Sequence, residues 1–286
     1  MKYIRVHFSG FWPHFNKTNN LFTYALSQRY NIVVTSEDPD LVITDNLQHR
    51  YQNAKMVYFS GEPFFDIGVC DYALTSFDVD DNRFFRVPLY LLYAYDYYHN
   101  GITSSYDAIL NAKNEVVVSN KHKFCGYVAR GGNERRSTMF NMLSSYKQVS
   151  ALGSHFNNAP MIVGEPGTID GSINKYNALK EFKFCLAIEN TKQYNGYIGY
   201  TTEKIYEPFM ASCVPIYWGN ARINEDFNEG AFVNWHRYGS DERTVEKIIE
   251  LDTNDDLYMD YVKHPIVKNR ELFNIDYMVS VFERIL

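Results

Sequence analysis

Short apolar runs alternate with stretches of helical periodicity along most of this chain, and no other feature restricts its fold as strongly. Ile4 to Phe8, Asn31 to Thr35 (NIVVT), Leu41 to Thr44 (LVIT) and Lys55 to Phe59 (KMVYF) read as strands. Between the first two, Leu21, Phe22, Ala25 and Leu26 fall at helical spacing behind Asn19 or Asn20 as an N-cap. A second series follows. Lys123 to Ala129 (KFCGYVA), Lys183 to Ile188 (KFCLAI) and Val214 to Trp218 (VPIYW) read as strands. Helices are expected from about Arg135 to Tyr146, after Thr201-Thr202, over Thr244 to Leu251 and over Tyr277 to Leu286. This order predicts an α/β chain with parallel, doubly wound sheets. Residues 90–116, opening on the aromatic run Tyr90 to Tyr98, read as irregular. They place a boundary near residue 117 between units 1–116 and 117–286, the last helix being free to pack back on the first unit.

Several function classes are disfavoured at this level. The net charge is −6, without the basic surplus of a generic nucleic-acid binder. Cys70, Cys125, Cys185 and Cys213 are far apart, so neither a zinc site nor a C-x-x-C redox motif is expected, and Cys125 and Cys185 read as buried apolar residues. Two disulfides remain compatible with the count, but a reduced protein is the simpler reading. No stretch of about 18 apolar residues marks a membrane span, and Met1 to Phe8 lacks the apolar core of a signal peptide. The expectation is a cytoplasmic protein, free or peripheral at the inner membrane face. Aromatic residues make up 16% of the chain, which suits both core packing and contact with sugar faces.

In such sheets ligands bind outside the carboxyl ends of the strands, so the loops at those ends carry the candidates. The densest is Tyr200-Thr201-Thr202-Glu203-Lys204-Ile205. Thr202 caps the helix, and Glu203 and Lys204 fall in its first turn, where the dipole favours the anion and disfavours the cation. An anion docked there would reconcile the lysine with its position; a solvated Glu-Lys pair on an exposed helix start reads the same letters. A second helix start repeats the pattern at Arg130-Gly131-Gly132-Asn133-Glu134-Arg135-Arg136, with Arg136 suited to fork a diphosphate. It matches neither G-x-G-x-x-G nor a P-loop. Ser60-Gly61-Glu62-Pro63 places a carboxylate at a strand end, either a general base or a turn residue. Asp78-Val79-Asp80 matches the D-x-D by which some transferases hold a metal, but it does not follow an apolar strand.

The residues from Lys183 onward resemble the α1,3/4-fucosyltransferases, glycosyltransferase family 10. Phe184-Cys185-Leu186-Ala187-Ile188-Glu189-Asn190-Thr191 is similar to the family's apolar strand ending in E-N-[ST]. Tyr200-Thr201-Thr202-Glu203-Lys204 is similar to its Y-x-T-E-K, and Val214-Pro215-Ile216-Tyr217-Trp218-Gly219 to its V/I-P-[IV]-x-x-G. Tyr58 to Pro63 and Phe84 to Tyr90 resemble bacterial members.

The resemblance implies a GT-B architecture, two Rossmann-like domains facing a cleft, with the acceptor on the first and GDP-fucose on the second. It implies inverting transfer of L-fucose from GDP-β-L-fucose to a hydroxyl of an N-acetylglucosamine-containing acceptor such as N-acetyllactosamine, most simply α1,3. Arg136 and Lys204 would hold the diphosphate, Glu203 a ribose or fucose hydroxyl, Asn190 and Tyr200 would line the donor site, and Glu62 would be the base. No metal or cofactor is required on this reading, GDP-fucose being a substrate. A transferase of another nucleotide sugar and a non-catalytic carbohydrate-binding protein are the competing readings. Three departures stand out: a longer segment at Lys192 to Gly199, Pro208 inside the helix after Lys204, expected to kink it, and no basic or heptad tail before Leu286.

Overall fold

The computed structural model describes residues 1–47, 49–64, 66–112, 121–164 and 168–286. Strands β1 (Lys2–Ser9), β2 (Tyr30–Val34), β3 (Leu41–Thr44), β4 (Lys55–Phe59), β5 (Tyr72–Thr75) and β6 (Phe84–Arg86) form one parallel sheet in the order β2-β1-β3-β4-β5-β6. The runs LVIT and KMVYF are apolar at nearly every position because both faces of this sheet are covered: all of β3 and four of the five residues of β4 are buried. Helix α1 (Leu21–Ser27) starts at Asn20, whose side chain accepts from the Phe22 and Thr23 amides while the Thr23 hydroxyl closes a capping box.

The second sheet contains β7 (Lys123–Tyr127), β8 (Val149–Ala151), β9 (Phe182–Ile188), β12 (Val214–Trp218) and β13 (Val233–Asn234), all parallel, in the order β13-β12-β9-β7-β8. Read from its own first strand this is 2-1-3-4-5, the order that the first five strands of the other sheet also follow. Each unit therefore reverses strand order once, between β1 and β3 in the first and between β7 and β9 in the second. The latter switch point opens a crevice above Tyr127 and Ile188. Between β9 and β12 lies a small antiparallel hairpin, β10 (Gln193–Tyr194) and β11 (Tyr197–Ile198). Its two-residue turn, Asn195-Gly196, has positive φ at both positions, the type I′ geometry that asparagine and glycine permit.

Residues 90–116 depart from the sequence expectation. Tyr90–His99 is a helix, α2, with Tyr90, Leu91, Leu92, Ala94, Tyr95 and Tyr97 buried. An apolar stripe was not visible because the helix is buried on most of its circumference and is aromatic or aliphatic at almost every position. The expected boundary near 117 lies outside the described residues. Further helices are α3 (Glu134–Tyr146), α4 (Ile169–Leu179), α5 (Glu203–Met210), α6 (Trp235–Tyr238), α7 (Asp241–Thr253), α8 (Asp255–Lys263) and α9 (Ile275–Ile285). Helix α5 continues through Pro208 to Met210.

The main apolar core is shared between the units. Phe8, Phe22, Phe59 and Tyr97 belong to the same buried cluster as Tyr206, Phe209, Phe227, Phe273 and Phe282. Helix α9 lies on α1, with Phe22 and Phe282 edge to face at 6.3 Å and an Arg29–Glu283 ion pair at its rim. A polar clasp crosses the same boundary. Arg86, at the end of β6, forks onto Asp226 through two bonds of 2.8 and 2.6 Å; the Tyr90 hydroxyl donates to Asp226, and the Tyr277 hydroxyl donates to the Arg86 carbonyl. Asp226 is fully buried. Such a pair is stabilising only while both partners are present, because removing either leaves an uncompensated buried charge.

Candidate active site

A cleft of about 840 Å³ opens at the carboxyl ends of β7 and β9. Five of the six site residues expected from sequence line it: Glu62, Arg136, Asn190, Glu203 and Lys204. Tyr200 does not. It is buried, stacks on Phe77 at 6.0 Å, and its hydroxyl donates to the Gly61 carbonyl beside Glu62. It ties the second unit to the loop that carries Glu62, and is thus a strut at the cleft edge rather than part of its lining.

Arg136 occupies the first turn of α3, where Asn133 caps the helix by accepting from the Arg136 amide at 2.9 Å. Its guanidinium bends back to the switch point. It donates to the Ile188 carbonyl from Nε and Nη2 (3.2 and 2.9 Å), to the Gly131 carbonyl from Nη1 (2.8 Å) and to Asn190 Oδ1 from Nη2 (2.7 Å). All its described partners are neutral. The residue is 6% exposed, so this is a nearly buried cation held in place by dipoles and lacking a counter-ion among the described residues. Asn190 is the side chain that fixes the outer edge of the fork.

Lys204 is different, and here the expectation needs correcting. The sequence reads either as a lysine offset by an anionic ligand in the first turn of α5 or as a solvated Glu-Lys pair on an exposed helix start. The structure supplies two carboxylates of its own. Lys204 Nζ lies 3.3 Å from Glu203 Oε1 and 3.5 Å from Glu189 Oε2, and it donates to Thr202 Oγ1 at 3.2 Å. Burial alone would lower its pKa; Glu203 and Glu189 outweigh that and hold it raised. Glu189, which sequence reasoning left out of the site, is wholly buried and also accepts from the Thr202 amide (2.8 Å) and hydroxyl, so it organises the start of α5. The E-N-T triplet at the end of β9 was the only signal that could have found it.

Burial opposes ionisation of Glu203 as well, but Lys204 and Lys175 override it and hold the carboxyl at about 2. Lys175 and Glu207, also missed from sequence, line the same cleft and form an ion pair beneath it. Glu62 stands opposite, on the loop after β4. It is exposed, and among the described residues its carboxylate has no hydrogen-bond or ion-pair partner. The two other carboxylates of that region are occupied: Asp66 caps a turn through the Ile67 and Gly68 amides, and Asp71 pairs with Arg50 at 2.9 Å and accepts from the Met56 amide.

The D-x-D stretch is likewise engaged elsewhere. This holds for its first carboxylate, Asp78, which lies 3.2 Å from Arg86 and 3.3 Å from Arg222; Asp81, just beyond the stretch, pairs with Arg83. Among the described residues no group of three or more His, Cys, Asp or Glu is placed to hold a metal ion. The four cysteines are free and buried. No helix among the described residues is long and apolar enough to cross a membrane.

Two doubly wound units that share a core and face a cation-lined cleft at a switch point define a GT-B fold. The family model described as "Glycosyltransferase family 10 (fucosyltransferase) C-term" matches residues 117–274, and the "Alpha-(1,3)-fucosyltransferase FucT N-terminal domain" matches residues 6–93. The chain belongs to glycosyltransferase family 10. It is 30% identical over 285 residues to the alpha-(1,3)-fucosyltransferase FucT of Helicobacter pylori, covering 85% of this chain and 55% of that protein. It is 28% identical over 148 residues to the bovine 4-galactosyl-N-acetylglucosaminide 3-alpha-L-fucosyltransferase 9, covering 50% of this chain and 37% of that one. The chain therefore spans about half or less of the length of these curated relatives. A crystal structure of an α1,3-fucosyltransferase with GDP-fucose superposes with a TM-score of 0.78 at 25% identity, over 99% of this chain and 90% of that one.

Proposed function

We propose that this chain is an inverting fucosyltransferase, moving L-fucose from GDP-β-L-fucose to a hydroxyl of an N-acetylglucosamine-containing glycan, most simply in α1,3 linkage. The observation that carries the reading is the pairing of opposites across one cleft: a nearly buried guanidinium, Arg136, and an exposed carboxylate, Glu62, which among the described residues have no carboxylate and no cation respectively. The first suits a diphosphate and the second a proton. The related crystal structure with GDP-fucose and the names of the relatives support this choice of donor and linkage.

In this mechanism the acceptor oxygen attacks the anomeric carbon from the side opposite the diphosphate. The bond from that carbon to the β-phosphate oxygen breaks, its electron pair leaving with GDP, and the acceptor proton passes to Glu62. Charge growing on the diphosphate is met by Arg136 and by Lys204. Glu203, ionised and held beside Lys204, accepts a hydrogen bond from a donor hydroxyl. Because these cations meet the leaving charge, no metal or other cofactor is needed for that role.

Glu62→Gln tests the assignment. It keeps shape and most hydrogen bonding but cannot take the proton, so kcat should fall about a hundredfold or more while GDP-fucose affinity stays near wild type. Turnover within a few-fold of wild type in a stable Glu62→Gln variant removes Glu62 from the role. A transferase of another sugar nucleotide predicts that UDP rather than GDP raises the Tm. A carbohydrate-binding protein without turnover predicts no GDP release with any acceptor. An acceptor panel with GDP-fucose, with product linkage read by NMR, decides the remainder.

A further inference from the structure

The rim of the cleft carries a patch of exposed aromatic rings that the mechanism above does not use. Phe64, two residues after Glu62, is 47% exposed, and Tyr197, on strand β11 of the hairpin, is 42% exposed. Tyr194 stands directly opposite Tyr197, so the two rings share one face of the hairpin. Tyr194 also reaches the first unit, its ring lying 6.5 Å from Phe64 and 6.2 Å from Phe77. One aromatic surface thus runs from the loop that carries Glu62 to the hairpin that follows Asn190.

The hairpin has other means of holding this place. The Ile198 carbonyl accepts from the Asp78 amide at 3.0 Å. Gly199 has φ +126°, and a Cβ there would fall 2.6 Å from the Ser76 carbonyl oxygen, so the close approach requires glycine. Tyr200 closes the same junction through its bond to the Gly61 carbonyl and its stack on Phe77. With the hairpin docked by these contacts, leaving the rings of Phe64 and Tyr197 in water adds little to the fold.

Phe64, Tyr194 and Tyr197 are not among the residues that line the cleft; they stand just outside it. Arg136, Asn190 and Lys204 line its donor wall, so an acceptor approaches from the side of Glu62. Its reacting hydroxyl must reach that carboxylate, which brings the rest of its ring against the neighbours of Glu62 on the loop. A pyranose presents a face of C–H groups that an aromatic ring covers well, and leaves its edge hydroxyls free to form hydrogen bonds.

We propose that Phe64 and Tyr194, continued by Tyr197, are the acceptor platform: the sugar that receives the fucose lies with its C–H face on Phe64 and Tyr194 and its reacting hydroxyl towards Glu62. The proposal rests on the reading of the cleft as a fucosyltransferase site. It gives the hairpin of the second unit a share in choosing the acceptor, alongside the Glu62 loop of the first.

Phe64→Leu keeps an apolar side chain but loses the flat face, whereas Phe64→Trp keeps the face. With N-acetyllactosamine, the acceptor KM should rise about tenfold or more in Phe64→Leu and in Tyr194→Leu, and should stay within about threefold of wild type in Phe64→Trp. The KM for GDP-fucose should stay within about twofold in all three, because the lost contact belongs to the acceptor alone. Saturation-transfer NMR with N-acetyllactosamine reads the same contact without turnover: irradiating the aromatic protons should mark the sugar in wild type and not in Phe64→Leu. An acceptor KM within about twofold of wild type in both folded leucine variants overturns the proposal, as does an equal rise in the KM of acceptor and donor, the mark of a merely structural contact. If wild-type protein transfers no fucose from GDP-fucose, the functional reading fails by itself and the NMR arm decides the platform. A sugar signal that Phe64→Leu abolishes supports it; a signal that survives Phe64→Leu, or none in wild type, overturns it.

Discussion

Replacing Lys204 with methionine asks whether the ammonium is there for the ligand or for the fold. At about 3.4 Å, and at the effective dielectric of partly solvated sites, each carboxylate contact is worth about 5 kcal/mol of gross Coulomb energy. Most of that is spent on desolvating the partners. Truncating one member of a buried pair costs about 3–5 kcal/mol, because the partners are left charged and buried. Lys204→Met should therefore destabilise the free enzyme by about that amount, read as a drop in Tm and in the denaturant midpoint. Adding Glu189→Gln should recover part of the loss, since glutamine still accepts from the Thr202 amide without the charge. GDP affinity should fall about a hundredfold or more, because the diphosphate would meet Glu203 and Glu189 bare. Calorimetric titration with GDP and thermal unfolding measure both. Wild-type stability in Lys204→Met, or no recovery on adding Glu189→Gln, would refute the reasoning that Lys204 is seated by these carboxylates.

Arg136→Met should weaken GDP by about 10- to 100-fold in the same titration, a charge-assisted contact being worth about 1.5–3 kcal/mol, and without the carboxylate repulsion that Lys204→Met creates. Glu203 has its folded pKa at about 2, below its ordinary 4.5, so its stabilising share is complete above pH 4.5 and is lost as pH falls towards 2; acid titration of Glu203→Gln should lack that part of the slope. Turnover should survive EDTA, and complete loss restored by a divalent ion would overturn the metal-free reading. The buried thiols Cys125, Cys185 and Cys213 should resist a thiol reagent in native protein and react together on unfolding, as followed by absorbance.

What could be read from the letters was whatever is local. Asn20 and Thr202 cap helices as expected, and the apolar runs at Leu41, Lys55, Lys183 and Val214 became the strands they resemble. Five site residues converge because strand ends converge in any doubly wound fold. What failed to show was long-range. Glu189 meets Lys204 across an intervening hairpin, and Lys175 meets Glu207 from another helix, so no spacing rule pairs them. Strands β5 and β6, four and three residues long, are too short to display a period. Helix α2 offers no polar face to contrast with its apolar one. The hairpin at 193–198 is legible in principle, because Asn195-Gly196 is the dipeptide its turn requires.

The Arg86–Asp226 clasp also bears on how the chain is made. During synthesis Arg86 leaves the ribosome long before Asp226, and Phe22 long before Phe282. Until those later residues emerge, the cation at the end of β6 has Asp78 but lacks the buried Asp226 onto which it forks, and the apolar helix α1 lacks the cover of α9. The amino-terminal half therefore waits, incompletely folded and adhesive, for most of the time translation takes, and closes only when α9 arrives. Stalled or truncated chains ending before residue 226 should consequently be the aggregation-prone products of this gene, and the natural clients of chaperones that hold nascent chains.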